Sequence, residues 1–197
     1  MSIQNRIFHP AFSTIFLDMD GVVADFDKFV MDGLGRTFNH MQGPGQDDEM
    51  WAYLKSIPNL YFKLEETPYA QDLWNLANML CARVAFLTAI PRRTTMPSAE
   101  NDKKRWANKT FGDSVDVRFG PYSKDKVNHL NTYQIPGNPR VVAVDVLVDD
   151  REDNINAWNA AGGIGILHKV DDYESTKRRL LMLQKAEFNV DFMDLLQ

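Results

Sequence analysis

Phe16-Leu17-Asp18-Met19-Asp20-Gly21-Val22-Val23-Ala24-Asp25-Phe26 is the stretch on which the reading of this chain turns. With Ile15 in front, Phe16 and Leu17 form an apolar run suited to a strand buried on both faces. The run ends in two carboxylates, and Gly21 lets the backbone turn tightly behind them. An ionised Asp at the end of a buried strand is costly unless its charge is compensated, and a second one doubles the demand. A divalent cation is the simplest compensation. The carboxyl ends of strands are also where open α/β sheets bind their ligands. The plainer alternative is an Asp-Gly turn with capping carboxylates.

A second acidic pair favours the cation. Val144-Asp145-Val146-Leu147-Val148 is another apolar run, and it ends at Asp149-Asp150. Two such pairs on two buried strands offer the hard oxygen ligands that suit Mg²⁺, which usually keeps waters and substrate phosphate in its shell. The competing use of Asp149-Asp150 is to cap a helix beginning at Arg151. Between the two runs, Val84-Ala85-Phe86-Leu87 leads into Thr88-Ala89-Ile90-Pro91-Arg92. A hydroxyl and free backbone N–H groups at a strand end can hold a phosphate oxygen, although a threonine there is commonplace.

Outward from these stations, strands and helices alternate. Strands are expected at Phe12–Leu17, Arg83–Leu87, Val115–Phe119, Val141–Val148 and Gly163–Leu167. One helix is opened by Thr67 as N-cap and Pro68, with Ala70, Leu73, Trp74, Ala77 and Cys81 on its buried face. A second runs from Pro97-Ser98 to Gly112. A third, from Arg151 or Glu152, buries Ile155, Trp158 and Ala161 and stops at Gly162-Gly163. This alternation predicts an α/β fold with a parallel sheet covered on both faces. Residues 25–66 interrupt it with no strand: a helical stretch Phe26–Leu34, the loop Gly43-Pro44-Gly45, and a helix opened by Asp47-Asp48-Glu49 carrying Met50, Trp51, Leu54 and Ile57. The expected division is a core of residues 1–24 and 67–197 with a small helical cap, 25–66, inserted over the first strand's carboxyl end.

Composition is permissive. The 197 residues are 44% hydrophobic, enough for one full core and a small appendage. With 22 basic and 27 acidic residues the net charge is −5, which disfavours a protein that grips nucleic-acid backbone. Of the short basic clusters, Lys103-Lys104-Arg105 and Lys177-Arg178-Arg179 are expected on solvated helix faces. The single cysteine, Cys81, has no partner for an intramolecular disulfide and reads as a small core residue in a reduced compartment. The first residues show no basic region followed by an apolar stretch, and no segment has the length of a membrane span. A soluble, cytoplasmic protein is expected. The C-terminal run Phe188, Val190, Phe192, Met193, Leu195 and Leu196 packs either on the sheet or on a second copy of the chain in a homodimer.

These motifs resemble, over nearly the whole chain, the haloacid dehalogenase (HAD) superfamily of aspartyl-nucleophile phosphohydrolases, whose core is a Rossmann-like parallel sheet. Asp18-Met19-Asp20-Gly21-Val22 resembles its first motif, Thr88 the second, Lys126 the third with Lys124 as a rival, and Asp149-Asp150 the fourth. Within the superfamily the chain is most similar to the 5′(3′)-deoxyribonucleotidases. The likeness lies in Asp18 to Phe26, in Met50-Trp51 at an aromatic cap pair, in Asn59-Leu60-Tyr61-Phe62-Lys63-Leu64-Glu65, in Ser123-Lys124-Asp125-Lys126, and in Leu147-Val148-Asp149-Asp150-Arg151. Met50 departs from an aromatic, Ala89 from a serine and Arg92 from a lysine. The segment from Val127 to Val141 is longer than that family's.

The resemblance implies a mechanism. Asp18 attacks phosphorus and becomes an aspartyl-phosphate, while Asp20 protonates the leaving oxygen and later activates water. Mg²⁺ is held by the Asp18 side chain, the Asp20 backbone carbonyl and Asp150, with Asp149 reaching it through water. Lys126 neutralises the phosphoryl charge, and Thr88 and the Ala89 N–H hold the phosphate. Phe26, Trp51, Tyr61 and Phe62 offer flat faces that either stack on a nucleobase or form the cap's own core, with Arg92 and Lys124 as further substrate contacts. The expected substrate is a (deoxy)nucleoside monophosphate. The alternatives are another small phosphoester, a polynucleotide 3′-phosphate, and an inert nucleotide-binding protein of the same fold. No membrane and no stable nucleic-acid partner is expected.

Overall fold

Five parallel strands form the centre of the molecule. They are β2 (Ile15–Leu17), β3 (Val84–Ala89), β4 (Val117–Gly120), β7 (Val146–Asp149) and β8 (Ile164–Leu167). The computed structural model describes residues 6–36, 46–120 and 123–194, with the side chains of 46–47, 123–124, 138–141 and 185–194 left out of the description. The side chains of the C-terminal apolar run therefore lie outside the described residues. Among those described, no helix is long and apolar enough to cross a membrane.

The sheet is an α/β core because its strands are apolar on both faces. Ile15 and Leu17 pack to one side with α3 (Ala70–Leu80), α4 (Ala99–Phe111) and the start of α6 (Tyr173–Asp194). Phe16 points the other way, edge-on to Trp158 of α5 (Glu152–Ala161) with 5.8 Å between ring centroids. This is the two-residue period of a strand, and helices on both faces make both sets of side chains core. Burying each such side chain contributes on the order of 1.5–3 kcal/mol.

One expected strand divides. Val141–Val148 is not one strand: β6 (Asn138–Val144) and β7 belong to different sheets, divided at Asp145. The Asp145 carboxylate accepts from the Thr14 N–H at 2.6 Å and from the Asn131 N–H and Nδ2 at 3.0 and 3.2 Å. Those bonds hold a fully buried carboxylate, and the chain changes sheet around it. The long segment after Lys126 accordingly forms β5 (Thr132–Ile135), which pairs antiparallel with β6, while β1 (Arg6–Ile7) pairs parallel with β6 on its other side.

The helical expectations change in detail. Thr67 does not cap α3; its hydroxyl donates to the Val22 carbonyl at 2.7 Å, and Tyr69 occupies the cap position. Ala161 is exposed, and the buried face of α5 is Asn154, Ile155 and Trp158. Cys81 lies just past α3, buried, with its thiol donating to the Ser13 carbonyl at 3.1 Å. Between β2 and α3 the chain forms α1 (Phe26–Leu34), α2 (Gln46–Ser56) and a 3₁₀ turn, Leu60–Lys63. It leaves and re-enters side by side. The Asp25 N–H donates to the Glu65 carbonyl, and the Thr67 N–H donates to the Val23 carbonyl.

Candidate active site

Strand register brings the two acidic pairs together. Leu17 pairs with Val148, so Asp18 and Asp149 emerge side by side, and the Asp18 N–H donates to the Val148 carbonyl at 2.9 Å. In the order β4-β3-β2-β7-β8 the chain moves outward in one direction from β2 and in the other from β7, which makes this junction the switch point of the sheet. One carboxylate oxygen from each of Asp18, Asp149 and Asp150 lies within 4.8 Å of the others. Gly21 makes the approach possible. Its φ is +76°, and a Cβ there would sit 2.6 Å from Asp150 Oδ2.

Asp149 is fully buried and held from three sides. Asn154 Nδ2 donates to both its oxygens at 2.9 and 3.0 Å, the Arg151 N–H donates at 3.0 Å, and Lys126 Nζ donates at 2.6 Å. The last ammonium, from the 3₁₀ turn Ser123–His129, also lies 2.8 Å from Asp18 Oδ2. For Lys126, burial alone would weaken the hold on its proton, but Asp18 and Asp149 outweigh it and the net direction is upward. Burial and the charge of Asp18 raise Asp149. For Asp150, burial together with Asp18 and Asp149 pushes the carboxyl up to about 8.

Those shifts describe a site short of positive charge. Asp18, Asp20, Asp149 and Asp150, when ionised, outnumber by two the buried ammonium groups described within ion-pair distance of them, Lys103 and Lys126. One divalent cation would make up the difference, and a donor set made only of oxygen suits a hard one. The Asp20 carboxylate is not part of this cluster.

Asp20 turns instead to Lys103, which lies on α4 and whose Nζ is 2.6 Å from Asp20 Oδ2. The expectation of a solvated face for Lys103-Lys104-Arg105 fails here, because Lys103 is only 1% exposed. The spacing carried the signal: Ala99, Asp102, Lys103, Trp106 and Ala107 recur at intervals of three and four and are all buried. Burial raises the Asp20 carboxyl, Lys103 opposes it, and the charge of Asp18 adds to it. Asp20 Oδ1 is buried without a hydrogen-bond partner.

Asp18, Asp20 and Asp150 open onto a cavity of about 590 Å³. Phe26, Met50, Trp51 and Tyr61 supply its apolar wall, and Ala89 and Arg92 line it from the end of β3. Phe26 and Tyr61 are near-parallel, 6.2 Å between centroids. Asp27, Asp48, Lys55 and Arg151 also line it; Asp48 and Arg151 enter the sequence reading only as a helix opening and a motif end, and Asp27 and Lys55 have no part in it. Exposed charges without a motif leave no sequence signal.

Two expected contacts lie elsewhere. Phe62 is outside the cavity lining, under the Arg105 guanidinium at 4.2 Å, because adjacent side chains of a 3₁₀ turn diverge and Tyr61 takes the cavity side. Thr88 is fully buried behind the lining, its Oγ1 accepting from Lys103 at 2.7 Å. The Lys124 side chain falls outside the described residues.

No protein-family model matches the chain, and no curated protein matches it. Among solved structures, a HAD-superfamily hydrolase of subfamily IA, variant 1, from Geobacter sulfurreducens PCA is similar at 16% identity, covering 81% of this chain and 88% of that one, with a TM-score of 0.43. A haloacid dehalogenase-like family hydrolase from Streptococcus pneumoniae is similar at 14% identity, over 79% and 83% of the two chains, with a TM-score of 0.44. The HAD domain of an effector protein from Legionella pneumophila is similar at 14% identity, over 84% and 87%, with a TM-score of 0.38.

Proposed function

We propose that this chain is a HAD-type, Mg²⁺-dependent phosphomonoesterase that dephosphorylates (deoxy)nucleoside monophosphates through an aspartyl-phosphate on Asp18. The observation that carries the reading is the cluster of Asp18, Asp149 and Asp150 with Lys126 at 2.8 Å from Asp18, opening onto a cavity. A phosphate monoester is a dianion and repels a carboxylate nucleophile, so attack needs the phosphoryl charge neutralised. Asp18, Asp150 and Asp149 would hold Mg²⁺, which when bound supplies that neutralisation beside the nucleophile.

Asp18 forms the bond to phosphorus as the ester P–O bond breaks, and Lys126 balances the charge from behind. Asp20 gives its proton to the leaving oxygen, then takes one from the water that cleaves the aspartyl-phosphate. Burial helps Asp20 keep that proton until attack. The cap, residues 25–66, faces the leaving group through Phe26, Trp51 and Tyr61, which stack on the base. Apolar flat walls over an acidic floor support a nucleoside more than a sugar phosphate.

The test is phosphate release with Mg²⁺ from a deoxynucleoside monophosphate, from glycerol phosphate and from a 3′-phosphorylated oligonucleotide. The first should be the best substrate. Trp51→Ala should lower its kcat/KM by roughly ten- to a hundredfold, the value of one base–aromatic contact, and leave glycerol phosphate nearly unchanged. An equal fall on both substrates in folded protein would assign Trp51 to packing and remove the nucleotide from the reading.

A further inference from the structure

Lys103 is a buried cation that the chemistry above does not use. An ammonium has three N–H donors. Here they meet three acceptors: Asp20 Oδ2 at 2.6 Å, Thr88 Oγ1 at 2.7 Å and the Ala89 carbonyl at 3.1 Å. The Nζ also sits 4.7 Å from the centroid of the Tyr61 ring. At 1% exposure, and absent from the cavity lining, Lys103 does not reach a substrate. Asp20 does line the cavity, with 31% of its side chain exposed.

The connections are what make the arrangement informative. One side chain from α4 ties the loop after β2, which carries Asp20, to the end of β3 and to an aromatic wall of the cavity. Stability alone gives little reason to bury an ion pair there, since apolar replacements of such pairs are often neutral or stabilising. A carboxyl group that must meet a leaving oxygen in line with attack on the far side of phosphorus does have a use for a fixed orientation.

We propose that Lys103 is a positioning residue, whose three-pronged ammonium sets the orientation of the Asp20 carboxyl group for proton delivery to the leaving ester oxygen. Lys103 is not the proton source in this step. The proton that moves is the one on Asp20, transferred as the ester P–O bond breaks and the Asp18–phosphorus bond forms. This role rests on the phosphatase reading.

The test uses leaving groups of different need. p-Nitrophenolate departs readily without a proton, whereas the alkoxide of glycerol phosphate requires one. With Mg²⁺ present, Lys103→Met should lower kcat/KM for glycerol phosphate by at least about a hundredfold, the low end of what a positioned general acid contributes. For p-nitrophenyl phosphate the fall should stay within about fivefold. kcat/KM is the right quantity because it reports only the steps through departure of the leaving group, not later hydrolysis of the aspartyl-phosphate. Lys104→Met, on an exposed neighbour, should change neither.

Equal losses on both substrates would make Lys103 a structural residue and overturn the assignment, as would no loss on either. Should Lys103→Met fail to fold, Lys103→Arg decides. It keeps the charge but replaces a tetrahedral ammonium with a planar fork. A loss confined to glycerol phosphate supports the proposal, and uniform loss or full activity overturns it. A parent protein that releases no phosphate from either substrate sinks the phosphatase reading and this role with it. An active parent with uniform losses sinks the role alone.

Discussion

Two lysines, Lys103 and Lys126, are buried to 1% and 2% exposure within the same site, yet their surroundings differ in kind. Lys126 stands against Asp18 and Asp149, with Asp150 completing the cluster, so carboxylates outnumber it. Lys103 meets one carboxylate and two neutral oxygens, and its donors are saturated. The first arrangement is incomplete without another cation. The second is complete as it stands, and it fixes a side chain. On that difference in charge balance, more than on the identity of the residues, rest the proposed metal site around Lys126 and the proposed positioning role of Lys103.

The largest effect should come from breaking the charge-deficient side at its nucleophile. Asp18→Asn is nearly isosteric but loses the attacking charge and a metal ligand, so phosphate release should fall by more than about a thousandfold in folded protein. Turnover within tenfold of the parent would end the covalent route.

A smaller effect separates metal demand from turnover. Asp150→Asn should raise the Mg²⁺ concentration for half-maximal rate by at least about tenfold, because a ligand is lost. Lys126→Ala should lower the rate without a comparable change in that concentration. In chelator, Asp150→Asn should also melt above the parent at pH 8, since a buried like charge has gone. An unchanged Mg²⁺ demand would return Asp149-Asp150 to a role at the start of α5.

The smallest effect is the pH dependence of stability in chelator. A carboxyl raised to about 8 in the folded state, against 3.8 as its ordinary value, keeps a proton that the unfolded chain gives up. Its contribution to stability is therefore fully present below about 3.8 and is lost as pH rises through about 8. His168 works in the opposite direction. Burial lowers it from 6.5 to about 4, so its contribution falls away as pH drops through that window. From about pH 7.5 His168 is largely neutral in both states, which leaves the decline between about pH 7.5 and 8 to the acidic cluster. Melting temperatures across that interval should fall in chelator and flatten in Mg²⁺; a flat curve without metal would mean the cluster carries no charge deficit.

The reach of the sequence was set by periodicity. Ile15 to Leu17, Val84 to Leu87 and Val146 to Val148 announce themselves as strands because both faces are covered and every position is apolar. The first and the last run into the acidic pairs at their carboxyl ends, so there the strand reading and the site reading come from the same letters. Local pattern also placed α1 at Phe26–Leu34 and the stop of α4 at Gly112.

Side-chain destination was decided elsewhere. Nothing local tells that the run through Asp145 changes sheets, because the bonds responsible come from Thr14 and Asn131, distant in the chain. Phe62 reads as an aromatic like Tyr61 until the turn points one at the cavity and the other at Arg105. Spacing marks Lys103 for the inner face of α4, but only the approach of Asp20 from a distant segment gives its ammonium a carboxylate there. The sequence by itself determined the alternation of strands and helices and the acidic strand ends, since those depend on neighbours one to four residues apart. The tertiary structure alone decided which buried charges meet, because Coulomb interactions and hydrogen bonds act through space between segments whose separation in the chain carries no trace of it.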